Sequence, residues 1–133
     1  MTRRPAASAP AAELAALLAA GAGGACADMA AIQLLTGHHY WLTRTDFTTA
    51  FIRAGRSPLS GQALAHVRWK AAAHALAAGQ LPCTGSEAAI LQIAAGLAAS
   101  LPVRLRDAVT GLDHVNLTAV ADAIMAAGGR HRP

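Results

Sequence analysis

The side chains best suited to recognition chemistry lie between positions 38 and 53. Imidazole, aromatic, guanidinium and carboxylate groups follow one another closely there, in the set His38, His39, Tyr40, Trp41, Arg44, Asp46 and Arg53. Aromatic and arginine side chains are enriched where proteins hold partner proteins, and aromatic rings also stack on nucleic-acid bases. The segment therefore predicts a binding surface. The competing interpretation is structural, with Tyr40 and Trp41 anchoring a loop and Asp46 capping a helix.

Six histidines and two cysteines raise the question of a metal site or a nucleophile. No two histidines have the i, i+4 spacing of a helical zinc site, and neither Cys26 nor Cys83 belongs to a C-x-x-C pair. Cys83 precedes a predicted helix, where a thiolate would be favoured, unless the thiol packs beneath the start of that helix. We expect no catalytic residue, metal or cofactor, and a hydrolase or metal-binding enzyme is the third choice.

A predicted central helix over about 84–101 is the element around which the others are arranged. Its residues are apolar on nearly every side, which is typical of a buried helix. Pro102 ends it, because proline has no N–H to continue the hydrogen-bond ladder. The uncharged run is too short and too rich in Ala and Gly to cross a membrane, which needs about 20 apolar residues.

Alanine-rich segments separated by glycines predict an all-α protein, a compact bundle of five to seven short helices around the central one. The further helices are expected at about 11–20, 25–36, 47–54, 61–78 and 114–127, with a short helical turn at 103–109. Gly37 is expected to end the second of these. The inward face of the last helix is expected to comprise Leu117, Val120, Ala121, Ile124 and Met125.

Four polar residues are expected to serve the structure rather than a partner. Thr84 and Glu87 fit a capping box, in which each side chain accepts from the other residue's backbone N–H. Asp113 would cap the last helix. Arg68 falls between two apolar stripes of the predicted helix 61–78, so we expect it to pair with Glu87 or Asp46.

The chain divides into a helical domain over 11–128, a disordered basic tail over 1–10 and a basic C-terminal tail over 129–133. The formal net charge is +4, but four of the 11 basic residues lie in the tails and the rest equal the seven acidic residues. The tails would therefore add only weak, salt-sensitive contact with nucleic acid. The apolar run before Cys26 makes a poor signal peptide, so we expect a cytoplasmic protein without membrane contact.

A DNA-associated regulator is the alternative function. Helices over about 45–54 and 61–78, with GRSPLS between them, would resemble a helix-turn-helix, although the connection exceeds the usual 3–4 residues. Arg56, His66 and Lys70 would then contact DNA. The predicted second helix is rich in alanine and offers few side chains that read bases.

Three segments carry a family resemblance. WLTRTDF, LPCTGSEAAILQIAAGLA and GLDHVNLTAVADAI, in this order, resemble small uncharacterised helical proteins of actinobacteria over about residues 25–128. The resemblance implies a bacterial cytoplasmic setting and carries no known activity.

The leading prediction is a non-enzymatic helical interaction module that acts by protein–protein contact through the 38–53 surface. Its protein partner is not identified by the sequence. The smooth faces of alanine-rich helices would also permit a homodimer.

Overall fold

The computed structural model describes residues 11–130, which form seven α-helices, one 3₁₀ turn and a β-hairpin. The helices are α1 (Ala11–Ala22), α2 (Cys26–His38), α3 (Thr45–Phe51), α4 (Trp69–Ala77), α5 (Gly85–Ala99), α6 (Leu105–Thr110) and α7 (His114–Ala127). The 3₁₀ turn is Trp41–Thr43, and the strands are β1 (Ile52–Arg56) and β2 (Ala63–Val67). The protein is therefore mostly helical, as predicted, but it is not strictly all-α.

The predicted central helix is confirmed as α5, which packs against α2, α4, α6 and α7. Ile90, Leu91 and Ala94 are fully buried. The capping box is present: the Thr84 hydroxyl accepts from the Glu87 N–H at 3.3 Å, and the Glu87 carboxylate accepts from the Thr84 N–H at 2.8 Å. A local sequence pattern thus fixes the start of the helix that the core surrounds.

The helix predicted over 61–78 is wrong in its first half, and so is the end of the helix predicted over 47–54. These residues form the antiparallel hairpin instead, with Ile52 opposite Val67 and Arg53 opposite His66. The buried side chains alternate along β2, where Ala65 and Val67 are buried and His66 is exposed, which is the period of a strand. Pro58 and the glycine at 61 favour the reversal between the strands.

The hairpin also replaces the predicted helix-turn-helix, because α3 and α4 are joined by two strands rather than by a short turn. Arg68 lies at the start of α4, exposed, and its guanidinium donates to the Ala50 carbonyl at 3.2 Å. Its expected ion pair with Glu87 or Asp46 is absent from the described residues, because Glu87 caps α5 and Asp46 binds Arg44. Arg68 is therefore not the buried structural arginine that was predicted.

The last helix has the predicted bounds, and the Asp113 carboxylate accepts from the Asn116 N–H at 2.8 Å. Its buried face is different, because α7 packs on α2 and buries Val120 and Ala123. Three residues that were expected to face inward are substantially exposed: Leu117 at 43%, Ile124 at 49% and Met125 at 40%.

Three further predictions concern the end of α2, membrane contact and the two tails. Gly37 does not end α2, which continues to His38 and closes at His39 in the left-handed region. Among residues 11–130, no helix is long and apolar enough to cross a bilayer. The tail predicted at 1–10 and the last three residues of the C-terminal tail lie outside the described residues.

The hairpin is held to the helical body by a close approach of α1 to β2. A Cβ atom built on Gly21 would lie 2.0 Å from the backbone oxygen of Ala65. Backbone atoms on both sides leave little freedom to relieve such a clash, so only glycine fits at this position. Ala65 is itself buried against the core, which makes the contact part of the interior rather than a surface feature.

Replacing Gly21 with alanine is expected to lower the free energy of unfolding by about 1–3 kcal/mol through overpacking. The matched control is Gly37→Ala, which lies inside α2 with open space around its Cβ position. That change should instead raise the free energy of unfolding by about 0.5–1 kcal/mol, because alanine favours the helix. Urea unfolding measures the free energy of unfolding of both variants. Equal changes in Gly21→Ala and Gly37→Ala would contradict the close approach of α1 to β2.

Candidate functional site

The segment predicted as a binding surface contains a core residue, Trp41. Its side chain is fully buried, and its indole N–H donates to the Glu87 carbonyl at 2.9 Å. Its ring meets Tyr40 edge-on at 5.0 Å and Phe47 at 5.3 Å between centroids. Trp41 therefore anchors the 3₁₀ turn to the start of α5 and presents no surface to a partner.

Arg44 is bound on several sides by the protein itself. Its guanidinium donates to both Asp46 carboxylate oxygens, to the Pro82 carbonyl at 2.7 Å and to the Tyr40 hydroxyl at 3.1 Å. It also lies 5.0 Å from the Trp41 ring centroid, within the range of a cation–π interaction. The hydrogen bonds raise the pKa of Arg44 and lower that of Asp46. The Arg44 guanidinium thus connects the residue before the 3₁₀ turn, the first turn of α3 and the loop before α5.

His38 lies close to the charged groups at the starts of α5 and α7. Burial is the main cause that lowers its pKa, and the carboxylates of Glu87 and Asp113 oppose the shift. The Nδ1 atom is buried and has no hydrogen-bond partner among the described residues. The pKa of Glu87 is lowered chiefly by the backbone N–H of Thr84.

Cys83 does not have the environment of a reactive thiolate. It is half-buried against the core, and burial followed by the charge of Glu87 raises the pKa of its thiol. Both cysteines are free. The packed-thiol interpretation of Cys83 therefore describes its surroundings better than the nucleophile interpretation. Within residues 11–130, no three His, Cys, Asp or Glu side chains gather in a way that would hold a metal ion.

Arg53 belongs to a different part of the molecule from the other members of the predicted 38–53 surface. It stands on β1 directly opposite His66 on β2. The structure thus divides the predicted set into an internally bonded cluster at 38–46, in which His39 is exposed, and one cation on the hairpin.

Exposed basic side chains of the hairpin and the start of α4 form a second group. We call it the basic hairpin surface, and it comprises Arg53, His66, Arg68, Trp69 and Lys70. Arg56 lies three positions after Arg53 on β1, on the opposite face of the ribbon, and its guanidinium donates to the Gly61 carbonyl at 2.9 Å. No acidic residue stands between Asp46 and Glu87 in the sequence. Arg53, Arg68 and Lys70 are exposed, and within the described part of the chain none of them forms an ion pair.

The cations lie close together because the hairpin leads directly into α4. The Arg68 N–H donates to the Phe51 carbonyl at 2.7 Å, which continues the pairing of the strands by one residue. Arg68 follows His66 by two positions, so its Cα–Cβ direction returns to the face that carries His66 and Arg53. Lys70 comes in the first turn of α4.

The positive charges of Arg68 and Lys70 do not stabilise α4. Arg68 and Lys70 lie at the start of a helix that has no side-chain cap and no acidic residue in its first turn. A cation there meets the positive end of the helix dipole, which favours acidic residues instead. Residues that break a local rule without a local gain are typical of functional surfaces.

Trp69 is the aromatic member of the basic hairpin surface. It is half-buried against the core and lines two surface depressions. One, of about 190 Å³, is shared with His66 and Asp28, and the other, of about 390 Å³, is shared with Arg68 and Lys70. The cations therefore border the ring at the larger depression.

Arg56, His66 and Lys70 were predicted together as possible DNA contacts. The structure places His66 and Lys70 beside Trp69, whereas Arg56 lies on the opposite face of the ribbon. Trp69 was missed, and Arg68 was assigned to a position between two apolar stripes. The signal that identifies the surface is the acid-free stretch between Asp46 and Glu87, which an average over the whole domain conceals.

Comparison with known proteins gives no family or function. No model of a protein family matches the chain, and no significant match occurs among curated proteins or solved structures. The resemblance to actinobacterial proteins therefore stays a prediction.

The role of Arg44 can be separated from that of the hairpin cations by stability measurements. Arg44→Gln is expected to lower the free energy of unfolding by about 1–2 kcal/mol, since it removes charge-assisted hydrogen bonds to a partly exposed partner. The control Arg53→Gln should change it by less than about 0.5 kcal/mol. Chemical denaturation measures both variants, and equal losses of unfolding free energy in Arg44→Gln and Arg53→Gln would contradict a structural role specific to Arg44.

The free energy of unfolding is expected to fall in two stages on acidification. His38 has a lowered pKa in the fold, so stability is lost as the pH falls below its ordinary value of 6.5. Asp46 and Glu87 also have lowered pKa values, so their contribution persists above the ordinary values of 3.8 and 4.5 and is lost below them. Urea unfolding at several pH values checks this. In His38→Gln the loss of unfolding free energy just below pH 6.5 should be smaller, and the loss below about pH 4.5 should remain.

Proposed function

We propose that this protein is a binding module whose partner is a nucleic acid, held at the basic hairpin surface. The observation that carries the proposal is the set of three exposed cations, Arg53, Arg68 and Lys70, in an acid-free stretch, none of them in an ion pair within residues 11–130. A phosphate backbone offers such a set the counter-charges that the fold does not supply. Guanidinium groups can also bind phosphate through two parallel hydrogen bonds.

The balanced charge of the domain does not argue against this partner, because the hairpin and α4 carry no acidic residue, although Asp28 of α2 lines the smaller depression beside His66 and Trp69. Five of the seven acidic residues lie before the cluster at 38–46 or after α5: Glu13, Asp28, Asp107, Asp113 and Asp122. The remaining two, Asp46 and Glu87, bind Arg44 and cap α5. A strand of phosphates along the hairpin would therefore meet cations without facing carboxylates from the same elements.

A nucleic acid at the hairpin has more support than a protein partner held at 38–53. Trp41, the residue best suited to anchor a protein interface, is buried, and Arg44 and Asp46 bind each other. Arg53 on the hairpin and Lys70 at the start of α4 are exposed and form no ion pair within residues 11–130.

Charge neutralisation at matched sites tests the proposal. The double variant Arg53→Gln, Lys70→Gln removes two charges from the basic hairpin surface. Its control is the double variant Arg104→Gln, Arg106→Gln, which removes two exposed charges at α6. The control therefore has the same net charge as the hairpin variant. Binding of the full chain to a fluorescent 20-nucleotide probe is measured by anisotropy across a salt series.

The hairpin variant should bind at least tenfold more weakly at about 0.1 M salt, and the slope of log K against log salt should shrink by about 1–2. The control should stay within about twofold of the wild type. Equal losses in both variants would mean that binding follows net charge alone. Absence of binding by the wild type at low salt would contradict the function itself.

A further inference from the structure

We infer that Trp69 is a stacking site for an unpaired base, and that the nucleic acid held at the basic hairpin surface is single-stranded there. The inference rests on the function proposed above and specifies its substrate. It depends on the surroundings of one aromatic ring, which differ from those of the other tryptophan in the chain.

The two tryptophans have opposite environments. Trp41 is enclosed, and its indole N–H is bonded to the Glu87 carbonyl. Trp69 is half-exposed, and its indole N–H has no hydrogen-bond partner within residues 11–130. The free N–H leaves a donor, next to an accessible part of the ring, that a ligand can use.

The depressions beside Trp69 place charge around the ring. The larger one, about 390 Å³, is lined by Arg68, Lys70 and Ala99 as well as by Trp69. A base against the ring would leave its own phosphate and those of its neighbours near Arg68 and Lys70. The smaller depression, about 190 Å³, is lined by His66 and Asp28, so the cations beside the ring are Arg68 and Lys70 at the larger one.

An accessible aromatic ring beside cations favours a single strand over a duplex. Bases in a duplex are stacked on one another, and reaching the ring would require unstacking or flipping one of them. In a single strand every base has a free face, and sites for single strands combine a cationic groove with aromatic platforms. A merely structural Trp69 would need neither the free N–H nor flanking cations, and any large apolar residue would replace it.

The test compares an oligothymidylate of 12 nucleotides with a 12-base-pair duplex, each added to the full chain at the same salt concentration. We expect the single strand to bind at least fivefold more tightly and to quench the tryptophan fluorescence. Quenching reports on Trp69, because Trp41 is enclosed. This measurement needs no variant, so it decides the question even where a substitution impairs folding.

Two variants separate stacking from packing. Trp69→Leu keeps an apolar side chain and is expected to lose at least fivefold in affinity for the single strand, while duplex binding and its salt slope stay unchanged. Trp69→Phe keeps a ring and should retain most of the single-strand affinity.

Full single-strand affinity in Trp69→Leu, or binding by the wild type without quenching, would overturn the stacking site and leave the proposed function standing. Equal affinity of the wild type for single strand and duplex would overturn it as well. Absence of binding to either probe would overturn both proposals.

Discussion

The close approach of α1 to β2 at Gly21 is the constraint on which the placement of the basic hairpin surface depends. A two-stranded hairpin is marginal on its own and needs a packed face to persist. Here that face is supplied by Ala65, Val67 and Ile52, which lie in the core. With one face of the ribbon packed and the backbone of β2 against Gly21, the other face and the turn are exposed to solvent.

A second junction connects the 3₁₀ turn to the start of α5. The Glu87 residue contributes a side chain that caps α5 and a carbonyl that accepts from the Trp41 indole. Arg44 lies on the same junction and connects the 3₁₀ turn to Pro82. The aromatic, guanidinium and carboxylate groups at 38–46 thus hold the fold together. Arg53 and Lys70, by contrast, form no ion pair within residues 11–130.

The sequence predicted the features that depend on neighbouring residues. The capping box at Thr84, the cap at Asp113 and the bounds of α7 are local, and they were predicted correctly. The hairpin was missed because Leu64 and Val67 fit a helical stripe as well as a strand, and packing on α1 decided between them. The alanine-rich helix that follows also favoured an uninterrupted helix.

The candidate site was only partly predictable, for a related reason. Composition cannot distinguish a tryptophan that is enclosed in a core from one that is half-buried at its edge, and the chain has one of each. Trp41 lies among other aromatic residues and is enclosed by them, whereas Trp69 begins α4 at the edge of the core. The inward face of α7 was misjudged similarly, because α2 packs on its smaller residues rather than on Leu117 and Ile124.

The most direct test of the account is to map the nucleic-acid contact on the full chain by ¹⁵N–¹H correlation spectra during titration with an oligonucleotide. The account predicts that the largest shift changes fall on the amides of residues 52–71, with those of 38–46 and α7 nearly unchanged. Changes confined to 38–46, to α7 or to the two tails would contradict the claim that the basic hairpin surface holds the nucleic acid.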